Sequence, residues 1–574
     1  MPAGLDSHLL LRAFCDELVR CGVRHAVTSP GSRSTPLVLA LARERRLRSW
    51  SHVDERSAAF FALGTAKATG VPAAVACTSG TAAANYLPAV VEAHEAGVPM
   101  VVLTADRPPE LRDVGAGQTI DQLKLFGANV RWFVELDVAE ASPERLAWVR
   151  QLACRVVGAA LGAAGGRPGP VHVNVPLREP LVPEGPLPAP EPAEAGRAGG
   201  RPWTALERRA PAPPGARLAE LVAGARRPLV VAGRTEPAAS AALADAAAAL
   251  GWPVLADPLS GARRGGAAIA HYDALLRTPD RLPGPPDLVV RCGDLPTSKP
   301  LRQWLAALDP ATTTQVAFSP TGVWHDPQAT LAELLPGDPA AALAALGTQP
   351  QPEGGAWLGA WRQADAAAAR ALDATLAGGL SEPAVARELA RALPSRGALV
   401  VAASMPVRDV ETFWPALDAP ARVLANRGAN GIDGTASTAF GVAAAHDGPT
   451  ALLVGDVTVA HDLGGLLAAK RLHLPLALVV LDNAGGGIFD FLPVATQTDV
   501  FEEHVATPTG LDLEQVARLF DLGYTAPTTL DDLRADLRDA LAAPAATMVH
   551  VRTDRAQNVA LHRACWEAVA TALG

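Results

Sequence analysis

The 574-residue chain lacks the features that mark several large classes of protein. No apolar run reaches about 18 residues, so we expect no membrane-spanning helix. Residues 1–6 contain no basic stretch before an apolar core, so we expect no signal peptide. Basic residues form no long run and the net charge is −9, which argues against a nucleic-acid partner.

Cysteine is scarce, and the six cysteines form no Cys-x-x-Cys pair. We therefore expect reduced, mostly buried thiols in a cytoplasmic protein. A Gly-x-Gly-x-x-Gly motif is also missing after the first expected strand, which disfavours a Rossmann dehydrogenase.

Hydrophobic residues make up 49% of the chain, which is enough for several cores, and the length favours three domains. Apolar, β-branched runs alternate with stretches of helical spacing, a pattern typical of parallel sheets covered by helices. The sequence thus predicts the α/β class, with three doubly wound parallel-sheet domains. We expect a first domain at 1–185, a Pro-rich linker at 186–215, a central α/β domain at 216–350 and a third domain at 351–574.

The stretch 454–493 carries the most specific pattern of the chain. Two apolar runs in and beside it predict neighbouring buried strands, with a crossover helix expected at 461–472. Asp456 follows the first strand and Asn483 follows the second, so both should lie at the carboxyl edge of the sheet, where ligands bind in such folds. Their oxygen atoms are donors that suit Mg²⁺.

A glycine turn follows Asn483. Gly485 is placed to add a backbone carbonyl to a metal site, and we expect the amides of Gly486 and Gly487 to be free for phosphate oxygens. The alternative is that Asp456 and Asn483 only cap turns after two strands. The spacing and the glycines together favour the metal site.

Polar residues also follow the predicted strands of the first domain. Ser32 and Arg33 stand in a turn that opens a helix, an arrangement that favours anions. Glu55 is expected in or near the first turn of the next helix, where a simple helix-end acid is the alternative to a functional carboxylate. Arg107 ends a buried strand, and the polar loop beyond it contains Gln118.

The run Gly455-Asp456-Val457, followed by Asp482-Asn483, resembles the metal–diphosphate motif of the thiamine-diphosphate enzymes. Val457 stands where many members have glycine, and Asp482 where many have asparagine. The resemblance implies bound thiamine diphosphate and Mg²⁺, with Mn²⁺ as an alternative, and the metal ligands Asp456, Asn483 and Gly485. It further implies a pyrimidine-binding domain at 1–185 and a diphosphate-binding domain at 351–574.

Glu55 has the position of the family glutamate that hydrogen-bonds N1′ of the aminopyrimidine and favours its imino tautomer. In this family the cofactor spans two domains, usually from different subunits, so the resemblance implies a homodimer or homotetramer. The cofactor-binding residues that it implies are Glu55, Ser404, Gly431, Ile432, Asp456, Val457, Thr458, Asn483, Gly486, Gly487 and Ile488.

A narrower resemblance, to a branch of the family in menaquinone biosynthesis, is carried by residues 29–34, 52–58, 104–108, 118–122, 426–434 and 486–489. It implies decarboxylation of 2-oxoglutarate and 1,4-addition of the succinyl carbanion to isochorismate, giving 2-succinyl-5-enolpyruvyl-6-hydroxy-3-cyclohexene-1-carboxylate. These substrates carry several carboxylates, which arginine side chains grip well. The implied catalytic residues are Glu55, Gln118 and Arg33, and the implied substrate-binding residues are Ser32, Arg33, Arg107, Gln118, Lys299, Ser404, Arg408, Arg427, Ile488 and Phe489.

Three departures from this branch leave the partner of each carboxylate open: Gly117 and Ala403 stand where asparagine is common, and Pro300 where some members have a basic residue. Another thiamine-diphosphate 2-oxoacid carboligase or decarboxylase would share Glu55 and the metal motif, but it would not need arginines at several strand ends. A catalytically inactive nucleotide-binding or regulatory protein on the same fold is a further alternative.

Overall fold

The computed structural model describes residues 4–137, 140–163, 165–183, 185–190, 194–206, 215–235, 237–347 and 354–574. The chain divides into two compact units: Met1–Arg209, Asn426–His446 and His461–Leu474 form the first, and Ala210–Ala425, Asp447–Ala460 and Pro475–Gly574 form the second. Every helix in the described ranges is too short or too polar to span a lipid bilayer. Parts of the predicted linker, residues 191–193 and 207–214, lie outside the described residues, and the predicted domain boundaries stay predictions.

The first unit is built on a six-stranded parallel sheet in the order β2-β1-β3-β4-β6-β5. The central strands β3, β4 and β6 are buried along their whole length, as expected of apolar runs covered on both faces. Strand β5 was not predicted, because it is a short, half-exposed edge strand, and within the described residues it pairs with β6 alone. The strands are β1 (His25–Thr28), β2 (Arg48–Ser51), β3 (Ala73–Cys77), β4 (Met100–Asp106), β5 (Trp132–Glu135) and β6 (Pro170–Pro176).

Helices cover this sheet, and two of them approach unusually closely. A Cβ on Gly64 would lie 2.1 Å from the carbonyl oxygen of Thr438, and one on Gly441 would lie 2.1 Å from that of Phe61. Only glycine therefore allows helix Glu55–Thr69 to touch helix Thr435–Ala445. The helices of this part of the chain are α1 (Leu5–Arg20), α2 (Thr35–Arg43), α3 (Glu55–Thr69), α4 (Thr81–Ala84), α5 (Leu87–Ala96) and α6 (Pro143–Ala160).

The second unit contains two parallel sheets, the first with five strands in the order β11-β10-β9-β7-β8. Strands β10 and β11 were not predicted, since their sequences mix polar and apolar residues and give no continuous apolar run. The strands are β7 (Pro228–Ala232), β8 (Val254–Ala256), β9 (Leu288–Cys292), β10 (Thr314–Phe318) and β11 (Glu333–Leu335). The helices are α7 (Gly215–Ala223), α8 (Pro237–Leu250), α9 (Tyr272–Leu275), α10 (Lys299–Ala307), α11 (Pro339–Ala345) and α12 (Gly354–Leu376).

The other sheet of the second unit repeats the topology of the sheet in the first unit, with the order β13-β12-β14-β15-β17-β16. The predicted α/β class with three parallel sheets is thus confirmed. The short edge strand β16 was not predicted. The strands are β12 (Ala398–Val401), β13 (Arg422–Leu424), β14 (Thr450–Gly455), β15 (Ala477–Asp482), β16 (Gly523–Thr525) and β17 (Thr547–Arg552). The helices that follow α12 along the chain are α13 (Glu382–Ala392), α14 (Met405–Phe413), α15 (Thr435–Ala445), α16 (Asp456–His461), α17 (Leu467–Leu472), α18 (Leu513–Leu519), α19 (Leu530–Ala542) and α20 (Arg555–Ala572). Of these, α15 and α17 belong to the first unit.

The prediction of a single crossover helix at 461–472 is wrong in its extent. Helix α16 starts five residues earlier, directly at the end of β14, and a 3₁₀ turn at Leu463–Leu466 separates it from α17. Asp462 interrupts the helix because its buried carboxylate accepts hydrogen bonds from the amide (2.8 Å) and hydroxyl (3.2 Å) of Ser437. The glycines that follow it are poor helix formers.

Candidate active site

Asp456 and Asn483 lie at the carboxyl ends of two hydrogen-bonded neighbouring strands, as predicted. Gly455 of β14 pairs with Leu481 of β15, so the residues that follow both strands share one edge of the sheet. Both side chains are buried, and among the described residues Oδ1 of Asn483 has no hydrogen-bond partner. A buried acceptor oxygen without a partner is costly, and a cation beside it would remove that cost.

The electrostatics of Asp456 fit the same interpretation. Burial raises the pKa of its carboxyl to about 6, and the nearby charge of Asp482 adds to the rise, while the amides of Val457 and Gly485 oppose it by donating to the carboxylate. A divalent cation would favour the ionised form of this carboxyl. The donor set of one carboxylate and one amide oxygen suits Mg²⁺.

The glycine turn after Asn483 is tightly packed, and one expectation about it is wrong. The amides of Gly486 and Gly487 are not free, because they donate to the carbonyls of Ala506 (2.7 Å) and Gly485 (2.9 Å). The glycines are required for close approach: a Cβ on Gly487 would lie 2.7 Å from Nδ2 of Asn483. Beyond the turn, Ile488 is half-buried and Phe489 is exposed.

Two side chains next to this metal-site candidate, Glu382 and His550, were not predicted from the sequence. Glu382, the first residue of α13, accepts a hydrogen bond from Nδ2 of Asn483 at 2.8 Å. Asp482 lies 2.8 Å from Nε2 of His550, and this hydrogen bond lowers the pKa of the Asp482 carboxyl. Ser381-Glu382-Pro383 resembles an ordinary helix start, so no local signal pointed to Glu382.

Glu55 is the first residue of α3 and belongs to the first unit. Asp54 caps this helix by accepting the amide hydrogen of Ser57 at 3.1 Å. Burial raises the pKa of the Glu55 carboxyl above its ordinary value, although the amide of Glu55 itself partly offsets the rise. Glu55 is therefore a half-buried carboxyl at the carboxyl edge of the sheet, and it does not serve as the helix cap.

Arg33 and Arg107 lie close together in the first unit. Burial lowers the pKa of Arg107, and the positive charge of Arg33 lowers it further. Arg33 donates to the carbonyl of Leu177 at 2.8 Å, and Arg107 donates to the hydroxyl of Ser79 and to the carbonyl of Gly117. Arg33 also forms an ion pair with the exposed carboxylate of Glu179 at 3.2 Å. The two adjacent guanidinium groups therefore form a setting in which a carboxylate binds favourably.

Gln118 stands beside this arginine pair on a strained backbone. Its φ of 56° lies in the left-handed region, and its side chain donates to the carbonyl of Ser79 at 3.0 Å. The exposed Ser32 directly precedes Arg33. A left-handed backbone is uncommon in non-glycine residues, and such residues cluster at functional sites.

Arg427, Gly431 and Ile432 belong to a loop of the first unit that borders a cavity of about 300 Å³. Glu92 holds this loop by accepting the amide hydrogens of Gly428 (3.1 Å) and Ala429 (2.7 Å). The cavity is lined by Phe60, Leu87, Val91, Glu92, Asn426 and Gly431, among others.

The remaining predicted residues belong to the second unit. Ser404 precedes α14 with a φ of 71°, and its carbonyl accepts a hydrogen bond from Arg408 at 2.6 Å. Lys299 is the exposed first residue of α10. Val457 and Thr458 follow Asp456 in the first turn of α16.

Three family models match consecutive parts of the chain: the N-terminal binding domain of thiamine pyrophosphate enzymes at 10–125, their middle domain at 198–401 and their C-terminal binding domain at 408–551. Thiamine pyrophosphate is another name for thiamine diphosphate. The fold and these matches define a thiamine-diphosphate enzyme with three α/β domains.

Similar proteins show which family within this class the chain belongs to. The chain is similar to a 2-succinyl-5-enolpyruvyl-6-hydroxy-3-cyclohexene-1-carboxylate synthase from Geobacillus kaustophilus (44% identical, covering 97% of both chains). It is also similar to synthases of the same name from Rubrobacter xylanophilus (45% identical, 96% of both chains) and Myxococcus xanthus (43% identical, 99% of this chain and 98% of the relative). The chain belongs to the family of 2-succinyl-5-enolpyruvyl-6-hydroxy-3-cyclohexene-1-carboxylate synthases.

Proposed function

We propose that the chain decarboxylates 2-oxoglutarate and transfers the remaining succinyl unit to isochorismate, forming 2-succinyl-5-enolpyruvyl-6-hydroxy-3-cyclohexene-1-carboxylate for menaquinone biosynthesis. The observation that carries this proposal is identity of 43–45% to synthases of that name along nearly the whole chain. The buried oxygen pair of the second unit and the arginine pair of the first agree with it.

The residues present fit a metal–diphosphate group. Asp456, Asn483 and the carbonyl of Gly485 would hold Mg²⁺, with Mn²⁺ as an alternative, because the unpartnered Oδ1 of Asn483 within the described residues needs a positive neighbour. Bound thiamine diphosphate supplies a carbon nucleophile and an electron sink for the loss of CO₂. The side chains and turns that would contact it are Glu55, Ser404, Gly431, Ile432, Val457, Thr458, Gly486, Gly487 and Ile488.

Glu55 would hold or release a proton at its carboxylate oxygen, facing the aminopyrimidine ring. Its raised pKa helps it to do so near neutral pH, since a proton is exchanged most easily by a group whose pKa is close to the working pH. Glu55 is not needed to cap α3, because Asp54 caps this helix.

The substrate carboxylates would be held by cationic and polar side chains. Arg33 and Arg107 form the core of this set, because their guanidinium groups lie close together and Arg33 already pairs with the Glu179 carboxylate. Gln118 would orient a substrate oxygen beside them. The rest of the proposed set is Ser32, Lys299, Ser404, Arg408, Arg427, Ile488 and Phe489.

We further propose a homodimer or homotetramer in the cytoplasm, with the predicted pyrimidine-binding domain at 1–185 and the diphosphate-binding domain at 351–574. This proposal is supported by the resemblance to the thiamine-diphosphate enzymes. In that family the cofactor usually lies between domains of different subunits.

The test is an assay of the purified protein with thiamine diphosphate, Mg²⁺, 2-oxoglutarate and isochorismate, following the absorbance of isochorismate. We expect isochorismate to be consumed only when both cofactors and 2-oxoglutarate are present. If isochorismate is untouched while another 2-oxoacid releases CO₂, the proposed substrates are wrong and the cofactor assignment stands.

A further inference from the structure

We propose that Glu382 is a positioning residue of the metal site: its carboxylate orients the side-chain amide of Asn483 so that the oxygen, and not the nitrogen, faces the cation. This inference rests on the proposed function, because it supposes a divalent cation at Asp456 and Asn483.

The contacts of Glu382 give the first part of the argument. Its Oε1 accepts a hydrogen bond from Nδ2 of Asn483 at 2.8 Å and another from Oγ1 of Thr553 at 2.9 Å. The residue is 1% exposed and begins helix α13. The carboxylate is thus fixed by two donors and by the helix that it starts.

The chemistry of an amide gives the second part. The two ends of an asparagine side chain have nearly the same shape, but only the oxygen binds a cation, whereas the nitrogen carries two hydrogens. Oε1 of Glu382 accepts from Thr553 as well as from Asn483, and an accepting oxygen is matched by the amide nitrogen and not by the amide oxygen. Oδ1 then faces away from Glu382, and it has no partner among the residues that the structure describes.

Thr553 links this arrangement to the strand edge on which the site is built. It follows β17, and its amide donates to the carbonyl of Asp482 at 2.8 Å while its hydroxyl donates to Glu382. The same residue therefore fixes both the end of β15 and the carboxylate that orients Asn483. Hydrogen-bonding partners behind metal ligands typically contribute about 10–100-fold to metal affinity.

The test measures Mn²⁺ affinity by electron paramagnetic resonance, with thiamine diphosphate present and no substrate. Glu382→Gln keeps the shape, but its own amide accepts either orientation of Asn483, so we expect the Kd for Mn²⁺ to rise about tenfold. Glu382→Asp keeps the charge but shortens the reach, and we expect a similar rise. A Kd unchanged within twofold in both variants would overturn the inference.

A double-variant cycle separates orientation from simple charge attraction. In an Asn483→Asp background both ends of the ligand are oxygens, so orientation no longer matters. We expect Glu382→Gln to change the Kd less than about threefold there, against about tenfold in the parent. Equal losses in both backgrounds would mean that Glu382 acts only through its charge, and the inference would fail.

The Asp456→Ala variant distinguishes this failure from failure of the proposed function. If the parent binds Mn²⁺ and Asp456→Ala does not, the metal site stands whatever Glu382 does. If the parent binds no Mn²⁺, the metal site itself is wrong, and the inference falls with it. Circular dichroism of each metal-free variant checks that it is folded.

Discussion

Nζ of Lys67 lies 3.0 Å from Oε1 of Glu92, and both side chains are buried in the first unit. The same carboxylate accepts the amide hydrogens of Gly428 and Ala429. The ion pair therefore connects α3 and α5 to the loop that carries the proposed cofactor-binding residues Gly431 and Ile432.

Removal of the Lys67 ammonium group should destabilise the fold, because the Glu92 carboxylate stays buried. We expect Lys67→Met to lower the free energy of unfolding by about 3–5 kcal/mol, because Glu92 then keeps an unpaired charge in the interior. Thermal and urea unfolding measure the change. Lys124→Met, on the exposed surface, is the matched control and should stay within about 0.5 kcal/mol of the parent. A Lys67 variant as stable as the control would mean that the pair contributes little.

Glu55 should be needed for turnover but not for folding. An amide cannot hold and release a proton as the carboxyl does, so we expect Glu55→Gln to lower kcat by about 100-fold or more with little change in melting temperature. The isochorismate assay and circular dichroism measure the two effects. Glu144→Gln, which also changes an acid in the first turn of a helix, should keep full activity. If Glu55→Gln turns over nearly as fast as the parent, Glu55 is only an acid at a helix end and has no catalytic role.

Arg107 should act in substrate binding through its planar, forked geometry. It donates to the Ser79 hydroxyl and to the Gly117 carbonyl, and a lysine offers a point charge that cannot keep both contacts while binding a carboxylate. We expect Arg107→Lys to raise the KM for one substrate about tenfold, a cost of about 1.4 kcal/mol. The exposed Arg45→Lys is the control. An unchanged KM for both substrates would exclude Arg107 from the pocket.

The features that could be predicted from the sequence have a local sequence pattern. The features that could not be predicted depend on contacts between distant parts of the chain. Asp456 and Asn483 directly follow apolar runs, and parallel neighbouring strands end at one edge, so their proximity was predictable. Glu382 is 101 residues from Asn483, and its contact depends on how α13 packs, which no local pattern reports. Strand β16 gave no signal because only packing against β17 makes it a strand.

The glycine turn shows the same limit within a short segment. Its tight geometry was predictable from three consecutive glycines, since Gly485 has a φ of 139° and the other two leave no room for a Cβ. The partner of the Gly486 amide, the carbonyl of Ala506, lies on a distant part of the chain. Free amides were expected because that segment could not be placed from sequence alone.

We expect the buried ring of His172 to make the stability of the first unit sensitive to acid. The residue lies in β6 with its ring 4.7 Å from that of Phe126, and its Nε2 lies 2.7 Å from Oγ1 of Thr104. Burial lowers its pKa from 6.5 to about 3. Because the folded state holds the neutral ring, this contribution to stability is complete above pH 6.5 and is lost as the pH falls from 6.5 towards 3.

We expect the free energy of unfolding to fall between pH 7.5 and pH 5 by about 2 kcal/mol more in the parent than in His172→Gln, whose side chain does not titrate. Urea unfolding at the two pH values measures the difference. His504→Gln changes an exposed histidine and should keep the parental pH dependence. If His172→Gln and the parent lose the same free energy on acidification, the neutral ring of His172 is not the source of the acid sensitivity, and other buried groups of the first unit must carry it.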